Sequence, residues 1–553
     1  MSNGLVWSLF VLVLVILVLL PLYHLIIESL RTDAGFSLVN YAKLLETRRF
    51  HEALFNSVYL GLACGIIGML LGVPMAWLVS RTNMPLRRLI GLGVLGTFVT
   101  PGFVNALAWI LLAGPNAGLL NKAWMAATGS DTGLFNIFSM TGLVFVSLAT
   151  VYPLAFLFMY NAFDVMDTEV EDAARILGAR TPRIFLTVTL PLAWPAVVAG
   201  FILMFLESLI LYGVPAFIGV PARVYVITTQ IFFLFEYPPQ VGLAAALSFP
   251  LLLITAVLLW FQRRWLARRT YATVTGRGGQ HRRIDLGGWR WPTFGMAAVV
   301  VGVTFVLPTL ILLRTSLLRQ SFRGWSWENL TLGNYFFVLF TYDAGALSIW
   351  NSLVTSTVAA TVAVVISIVI AYLTARKLVP FGPALAFLAT LPLVIPAMVF
   401  AVGLFAAYSS APVMLYGTLW ILILAYLTKH LPFAFMSCHA AVGGIHQELE
   451  SAASVLGASR MRVLRDVTGP LVKNGLLAGW ILVFTPSVKE LSASVLLYTS
   501  RTTVIPTAIM DAYLHPRWEA VAALSVILLA INAAVVLAGY RLLGRNVLGQ
   551  RGG

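Results

Sequence analysis

Apolar runs of about 20 residues, the length a helix needs to cross the hydrocarbon core of a bilayer, dominate the chain. About twelve can be counted by that criterion, starting near Leu5, Leu54, Leu89, Thr141, Leu192, Val241, Thr293, Leu353, Pro383, Leu415, Leu471 and Ala520. The pattern predicts an all-α polytopic membrane protein. The polar stretches between the runs are short, and two of them carry nearly the same segment: Glu171-Asp172-Ala173-Ala174-Arg175-Ile176-Leu177-Gly178-Ala179 and Glu450-Ser451-Ala452-Ala453-Ser454-Val455-Leu456-Gly457-Ala458.

Composition agrees with the pattern. With 60% hydrophobic residues, 10% charged and a mean hydropathy of +0.91, there is more apolar surface than a soluble core could hide. The first run lacks a basic leader (Met1-Ser2-Asn3-Gly4) and continues through Pro21-Leu22-Tyr23 without a small-residue cleavage site, so a retained helix is expected. Cys64 and Cys438 fall in apolar segments of opposite halves and imply no disulfide framework.

A net charge of +15 could point to nucleic acid, but the distribution of the cations argues for a bilayer instead. With the N-terminus inside, the even-numbered loops and the C-terminus hold 23 of the 36 Lys and Arg residues, as the positive-inside rule expects. Both repeated segments then face the cytoplasm, as do both termini. The stretch from Arg31 to Glu52 is basic on the expected outer side and fits this scheme least well. Residues 262–290 are rich in Arg and Gly with no apolar period, which reads as a cytoplasmic linker; an alternative is contact with anionic lipid headgroups.

The chain also repeats itself. Asn56-Ser57 matches Asn351-Ser352, Arg81 matches Arg376, and Pro101 matches Pro396, at an offset of 295; farther on, Gly178 matches Gly457 and Pro191 matches Pro470 at 279. The difference of 16 is most simply an insertion between Gly114 and Met140 in the first half. Six spans separate equivalent positions, so both halves share one orientation, a parallel tandem repeat.

Within the repeated segment, Thr168 and Glu171 have capping-box spacing, Gly178 suits a left-handed helix stop, and Thr181-Pro182 can open a second short helix. The small Ala173-Ala174 and Ala452-Ala453 pairs allow close approach by another protein. Ile176-Leu177 and Val455-Leu456 offer apolar contact, and the nearby arginines can reach acidic groups. A connector lying on the bilayer surface is the plainer reading of one copy. A second copy in an equivalent place argues against it.

These residues resemble the cytoplasmic coupling-loop signature, or EAA motif, of bacterial binding-protein-dependent ABC importer permeases. In that pattern an acid and two alanines precede a glycine by three residues, and an aliphatic-x-Leu-Pro follows nine residues later. The first copy reads Asp172-Ala173-Ala174, Gly178, Val188, Leu190-Pro191; the second reads Ser451-Ala452-Ala453, Gly457, Val467, Gly469-Pro470. Ser451 and Gly469 depart from the pattern, although Glu450 is adjacent to the first.

The resemblance implies a type I permease of two six-helix halves in the bacterial inner membrane, working with two copies of a cytoplasmic ABC ATPase and a periplasmic solute-binding protein. It also implies coupling-loop roles for Glu171, Asp172, Ala173, Ala174, Gly178, Glu450, Ser451, Ala452, Ala453 and Gly457. Residues 1–53 then form an N-terminal helix and periplasmic loop, and 54–262 a first permease repeat with its coupling loop near 165–183. A basic linker covers 263–292, and the first helix of the second half with its loop covers 293–348. The second repeat is 349–543, with its coupling loop near 444–465, and 544–553 are a tail. No Gly-x-x-x-x-Gly-Lys-Ser/Thr phosphate loop occurs, so this chain is expected to be no enzyme and to carry no cofactor, ATP and Mg being used by the partner ATPase.

Lys489-Glu490-Leu491-Ser492-Ala493-Ser494 resembles a run in ferric iron permeases, and the residues from Glu207 to Pro221 resemble its first-half counterpart. The resemblance therefore points first to iron transport; related fused permeases carry 2-aminoethylphosphonate, thiamine or polyamines. An ionisable group in a span costs about 2.5–3.5 kcal/mol on insertion scales. Glu207, Lys489 and Glu490 are thus expected to face protein or water, lining the translocation path or forming structural ion pairs, with Lys429 as one candidate partner. The seven histidines show no close ligand pair, so no metal site is expected in this chain. Pro101 and Pro396, in register, read as kinks that shape the cavity wall. A gradient-driven secondary transporter is the competing class, but it would not need a duplicated cytoplasmic elbow.

Overall fold

A computed structural model describes residues 3–33, 35–166, 169–267, 283–514 and 517–543. Among them, nine helices are long and apolar enough to cross a membrane, and counting three sharply bent helix pairs as one span each gives up to 12. Helices are the expected solution, because a spanning segment in lipid must satisfy its backbone polar groups internally.

The chain forms two compact units, and they do not follow the order of the sequence. One comprises residues 47–230 and 253–314; the other comprises 1–46, 231–252 and 315–553. The opening helix of each half therefore belongs to the unit built mainly from the other half.

In the first unit the long helix Arg48–Arg81 packs against Met140–Val165 and Trp194–Leu209. Glycines at i, i+4, i+7 and i+11 let the backbones approach: a Cβ on Gly61 would lie 2.9 Å from the Phe205 ring, and one on Gly72 would lie 2.6 Å from the Ala155 Cβ. The opening helix of the second half, Gly287–Ser316, joins this unit, and its Thr304 hydroxyl lies 3.1 Å from the Tyr152 hydroxyl and 3.4 Å from that of Thr97.

In the second unit Asp343–Ala375 plays the part of Arg48–Arg81, packing on Leu419–Gly443 and Gly469–Val488. This helix buries the small residues Ser352, Ser356, Ala359, Ala363 and Ser367. The chain's first helix packs against Ala397–Tyr408, so closely that a Cβ on Gly403 would come within 2.5 Å of the Pro21 carbonyl oxygen.

Polar stitches occur in matched pairs. Asn40 donates to the Ser29 and Arg31 carbonyls at 3.0 and 3.1 Å, and Asn334 donates to the Ser316 and Leu318 carbonyls at 2.9 and 2.7 Å. The adjacent Tyr41 and Tyr335 hydroxyls meet the Ser29 and Ser316 hydroxyls at 2.9 and 2.7 Å, which extends the repeat back to the opening helices. Toward the N-terminal ends of the long helices, the Ser57 hydroxyl accepts from the Ile227 amide at 2.9 Å and the Ser352 hydroxyl from the Ile505 amide at 2.8 Å.

Three expectations need correction. Pro101 and Pro396 do more than kink: the helices on either side turn through 101° and 106°. Each proline stands in an extended conformation as the N-cap of a new helix, because its missing N–H and the steric demand on the residue before it end the preceding one. The segment from 262 to 290 is also not all linker, since one helix runs on to Ala267 and the next begins with the turn Gly287–Trp289. Residues 268–282, which carry much of its basic cluster, lie outside the described residues. Ile284 exchanges backbone hydrogen bonds with Arg81 and Asn83, and Asn83 donates to Asp285 at 2.6 Å. The Gly287 amide and, after it, that Asn83 bond hold the exposed Asp285 carboxyl below its usual range. Finally, Lys489 and Glu490 do not continue the preceding helix: it ends at Val488, soon after Pro486, and they occupy the irregular turn beyond it.

Candidate functional site: two loop helices

The repeated segments fold as two short helices, Glu169–Ile176 and Gln447–Val455. Each ends in the same way. Gly178 and Gly457 both have φ +83°, which L residues rarely adopt. The Gly178 amide donates to Arg175 at 2.9 Å and the Ala179 amide to Ala174 at 3.1 Å; Gly457 to Ser454 and Ala458 to Ala453 repeat the pair at 3.0 and 3.1 Å. This double closure is a Schellman stop. It turns the chain into the second short helix expected from Thr181-Pro182, Thr181–Ile184, and into its counterpart Arg460–Val463.

The two faces of each loop helix differ. Outward, Ile176, Leu177, Val455 and Leu456 are 86–89% exposed, an unusual state for aliphatic side chains. Ala173, Gly178, Ser451, Ala452 and Gly457 are exposed beside them, with Asp172, Ala174 and Ala453 partly so. Asp172 pairs with Arg175 at 2.7 Å at the surface.

Inward lie the two glutamates. Glu171 is 2% exposed and accepts a hydrogen bond from the Thr189 hydroxyl at 2.7 Å. Thr168, the other half of the expected capping box, lies outside the described residues. In the second copy, Arg376 pairs with Glu450 at 2.9 Å, Thr468 donates to the same carboxylate at 3.1 Å, and Tyr372 donates to it at 3.3 Å. Arg376 also donates to the Ile445 carbonyl at 3.2 Å, and in the first copy Arg81 donates to the equivalent Met166 carbonyl at 2.6 Å.

Arg81 and Arg376 were legible as repeat partners, but their charge alone reads only as positive-inside bias. The available signal was that Arg81/Arg376, Glu171/Glu450 and Thr189/Thr468 all obey the repeat offsets.

The other singled-out residues fall in different units. Glu207 is exposed in the last turn of Trp194–Leu209 in the first unit. In the second unit, Glu490 accepts from the Ala493 amide at 3.1 Å, with its other oxygen 3.9 Å from the buried His430 Nε2. Lys429, offered as an ion-pair partner, donates to the Ile395 carbonyl at 2.8 Å. Among the described residues, no group of three or more His, Cys, Asp or Glu is arranged to hold a metal ion.

Residues 66–271 and 363–548 match the family model of the binding-protein-dependent transport system inner membrane component. The chain belongs to that family, carries its domain twice, and is a multi-pass inner-membrane permease of an ABC importer rather than an enzyme. It is similar to the ferric transport system permease protein of Actinobacillus pleuropneumoniae, 25% identical over 492 residues that cover 88% of this chain and 70% of that one. A putative 2-aminoethylphosphonate transport system permease protein of Salmonella paratyphi A is 29% identical over 260 residues, 46% of this chain and 95% of that one. Among solved structures, a bacterial ABC transporter involved in the import of the acidic polysaccharide alginate matches with a TM-score of 0.40 at 15% identity over 48% of this chain and 96% of that one, too loose a likeness to carry an argument.

Proposed function

We propose that one copy of this chain supplies both membrane halves of an ATP-driven importer. Its two loop helices receive two copies of a cytoplasmic ATPase that uses ATP and Mg, and a periplasmic binding protein delivers the solute on the other side. Both termini are then cytoplasmic. The observation that carries this reading is the pair of exposed aliphatic dyads, Ile176-Leu177 and Val455-Leu456, presented at equivalent places on helices with identical stops. Exposed apolar patches repeated in this way mark a protein contact.

Ferric iron is the proposed cargo. Support comes from relatives named as ferric transport permeases that align along most of the chain. The permease offers the ion a transient route past groups such as Glu207 and Glu490, while tight coordination belongs to the binding protein. An organophosphonate is the second reading, favoured by the similarity to 2-aminoethylphosphonate permeases over nearly their full length.

Proteoliposomes containing the permease, its ATPase and its binding protein test both. ATP-dependent uptake of radiolabelled ferric iron is the expected result. Uptake of labelled 2-aminoethylphosphonate without iron uptake replaces the cargo, and full uptake by the permease without ATP removes the importer reading altogether.

A further inference from the structure

The inward-turned acids of the loop helices, Glu171 buried and Glu450 largely so, are set apart from the exposed aliphatic dyads. Glu450 holds together three elements: its own helix, Arg376 just beyond Asp343–Ala375, and Thr468, which immediately precedes Gly469–Val488. Arg376 and Glu450 are 74 positions apart in sequence, and their side chains are only 8% and 12% exposed. The chain enters the loop helix through Gly443-Gly444 and leaves it through Gly457, so these side-chain bonds add cross-links to distant elements that the backbone path does not supply. The first copy repeats the arrangement, with Glu171 tied to Thr189 and Arg81 tied to the Met166 carbonyl just before the loop helix.

The long helices are also fixed toward their N-terminal ends by the Ser57–Ile227 and Ser352–Ile505 bonds. At 34 and 33 residues they are about 50 Å long, well over the ~30 Å hydrocarbon core. Each long helix is thus anchored near both ends, and a push at one end is carried along its length.

We propose that Glu171 and Glu450, with Arg81 and Arg376, are positioning residues that clamp each loop helix to the inner end of a long helix. A displacement received at the exposed aliphatic dyads then enters Arg48–Arg81 and Asp343–Ala375 directly. The inference rests on the loop helices being the ATPase contact, and it adds that the glutamates act inside the permease rather than on the partner.

The test uses the full permease with a nitroxide label on Ser459→Cys, an exposed position just past the loop helix; the native Cys64 and Cys438 are buried. Glu450→Gln is expected to convert an immobilised spectrum to a mobile one in the permease alone. Solute transported per ATP is expected to fall about tenfold, the population effect of one lost charge-assisted hydrogen bond, while the ATPase still co-purifies. Arg376→Gln should behave in the same way, and Arg376→Lys, which keeps a donor, should restore most of the ratio.

An unchanged spectrum and ratio in Glu450→Gln overturns the clamp. Loss of the ATPase with an unchanged spectrum also overturns it, by placing the acid in the partner contact. If Glu450→Gln does not fold, Thr468→Val removes a single hydroxyl and should shift both readouts in the same direction; no shift overturns the proposal. Failure of the unaltered permease to retain any ATPase counts instead against the importer reading.

Discussion

The Thr189 hydroxyl donates to the buried Glu171 carboxylate at 2.7 Å, across 18 positions of chain. Neighbouring acids in one short helix thus have opposite fates, Glu171 inside and Asp172 at the surface. Thr189→Val should leave a buried acceptor unfilled, a cost of about 1–3 kcal/mol. Asp172→Asn removes only a surface pair with Arg175, worth about 0–1 kcal/mol. Thermal unfolding of the two variants in detergent should show a clear drop for the first and little change for the second.

The exposed dyads should govern partner binding. Burying a leucine contributes about 1.5–3 kcal/mol, so Leu177→Glu or Leu456→Glu should weaken ATPase retention by at least about tenfold, with the double variant worse than either. Pull-down of the ATPase from mild detergent checks this. Equal retention in all three variants would place the contact elsewhere.

Gly178 and Gly457 have nothing within 4 Å of a would-be Cβ, so any substitution penalty there is conformational rather than steric. Replacing either by Ala should cost about 1–2 kcal/mol for the left-handed backbone, while Asn should be better tolerated. The expected signature is faster amide hydrogen exchange over residues 169–179 or 447–458, with the spans unaffected.

Gly403 is the opposite case. Its Cβ would run into the Pro21 carbonyl, a backbone atom that cannot swing aside, so Gly403→Val should separate the first helix from Ala397–Tyr408 and lower the yield of monodisperse protein. Gly295→Ala, with nothing within 4 Å, is the matched control and should behave like the parent in size-exclusion chromatography.

Much of this could be read from the sequence, for physical reasons. Lipid imposes one apolar length on every span, so the segments could be found, and duplication left Gly178 and Gly457, with their surroundings, in register. What escaped was direction and angle. Glu171 and Asp172 are adjacent, and the one that points inward is the one that meets Thr189, on a different element. Pro101 is compatible with a gentle kink or a right-angle break, and the packing of two short helices decides between them. The bounds of Val488 as a helix end placed Lys489 and Glu490 in a turn, where hydropathy had merged them with the preceding run. Nor does an apolar helix announce which neighbours it will choose, so the exchange of opening helices between units has no signature in composition.

That exchange has a consequence for biosynthesis. The helix containing Pro21 leaves the ribosome well before the surface that receives it around Gly403, which is made nearly four hundred residues later. Until then the newborn segment must wait in the bilayer without its lasting companion, and the earlier-made bundle must likewise await the helix containing Thr304. Maturation is therefore a late event for the whole molecule, and a ribosome stalled midway would release a fragment lacking helices on which both units depend.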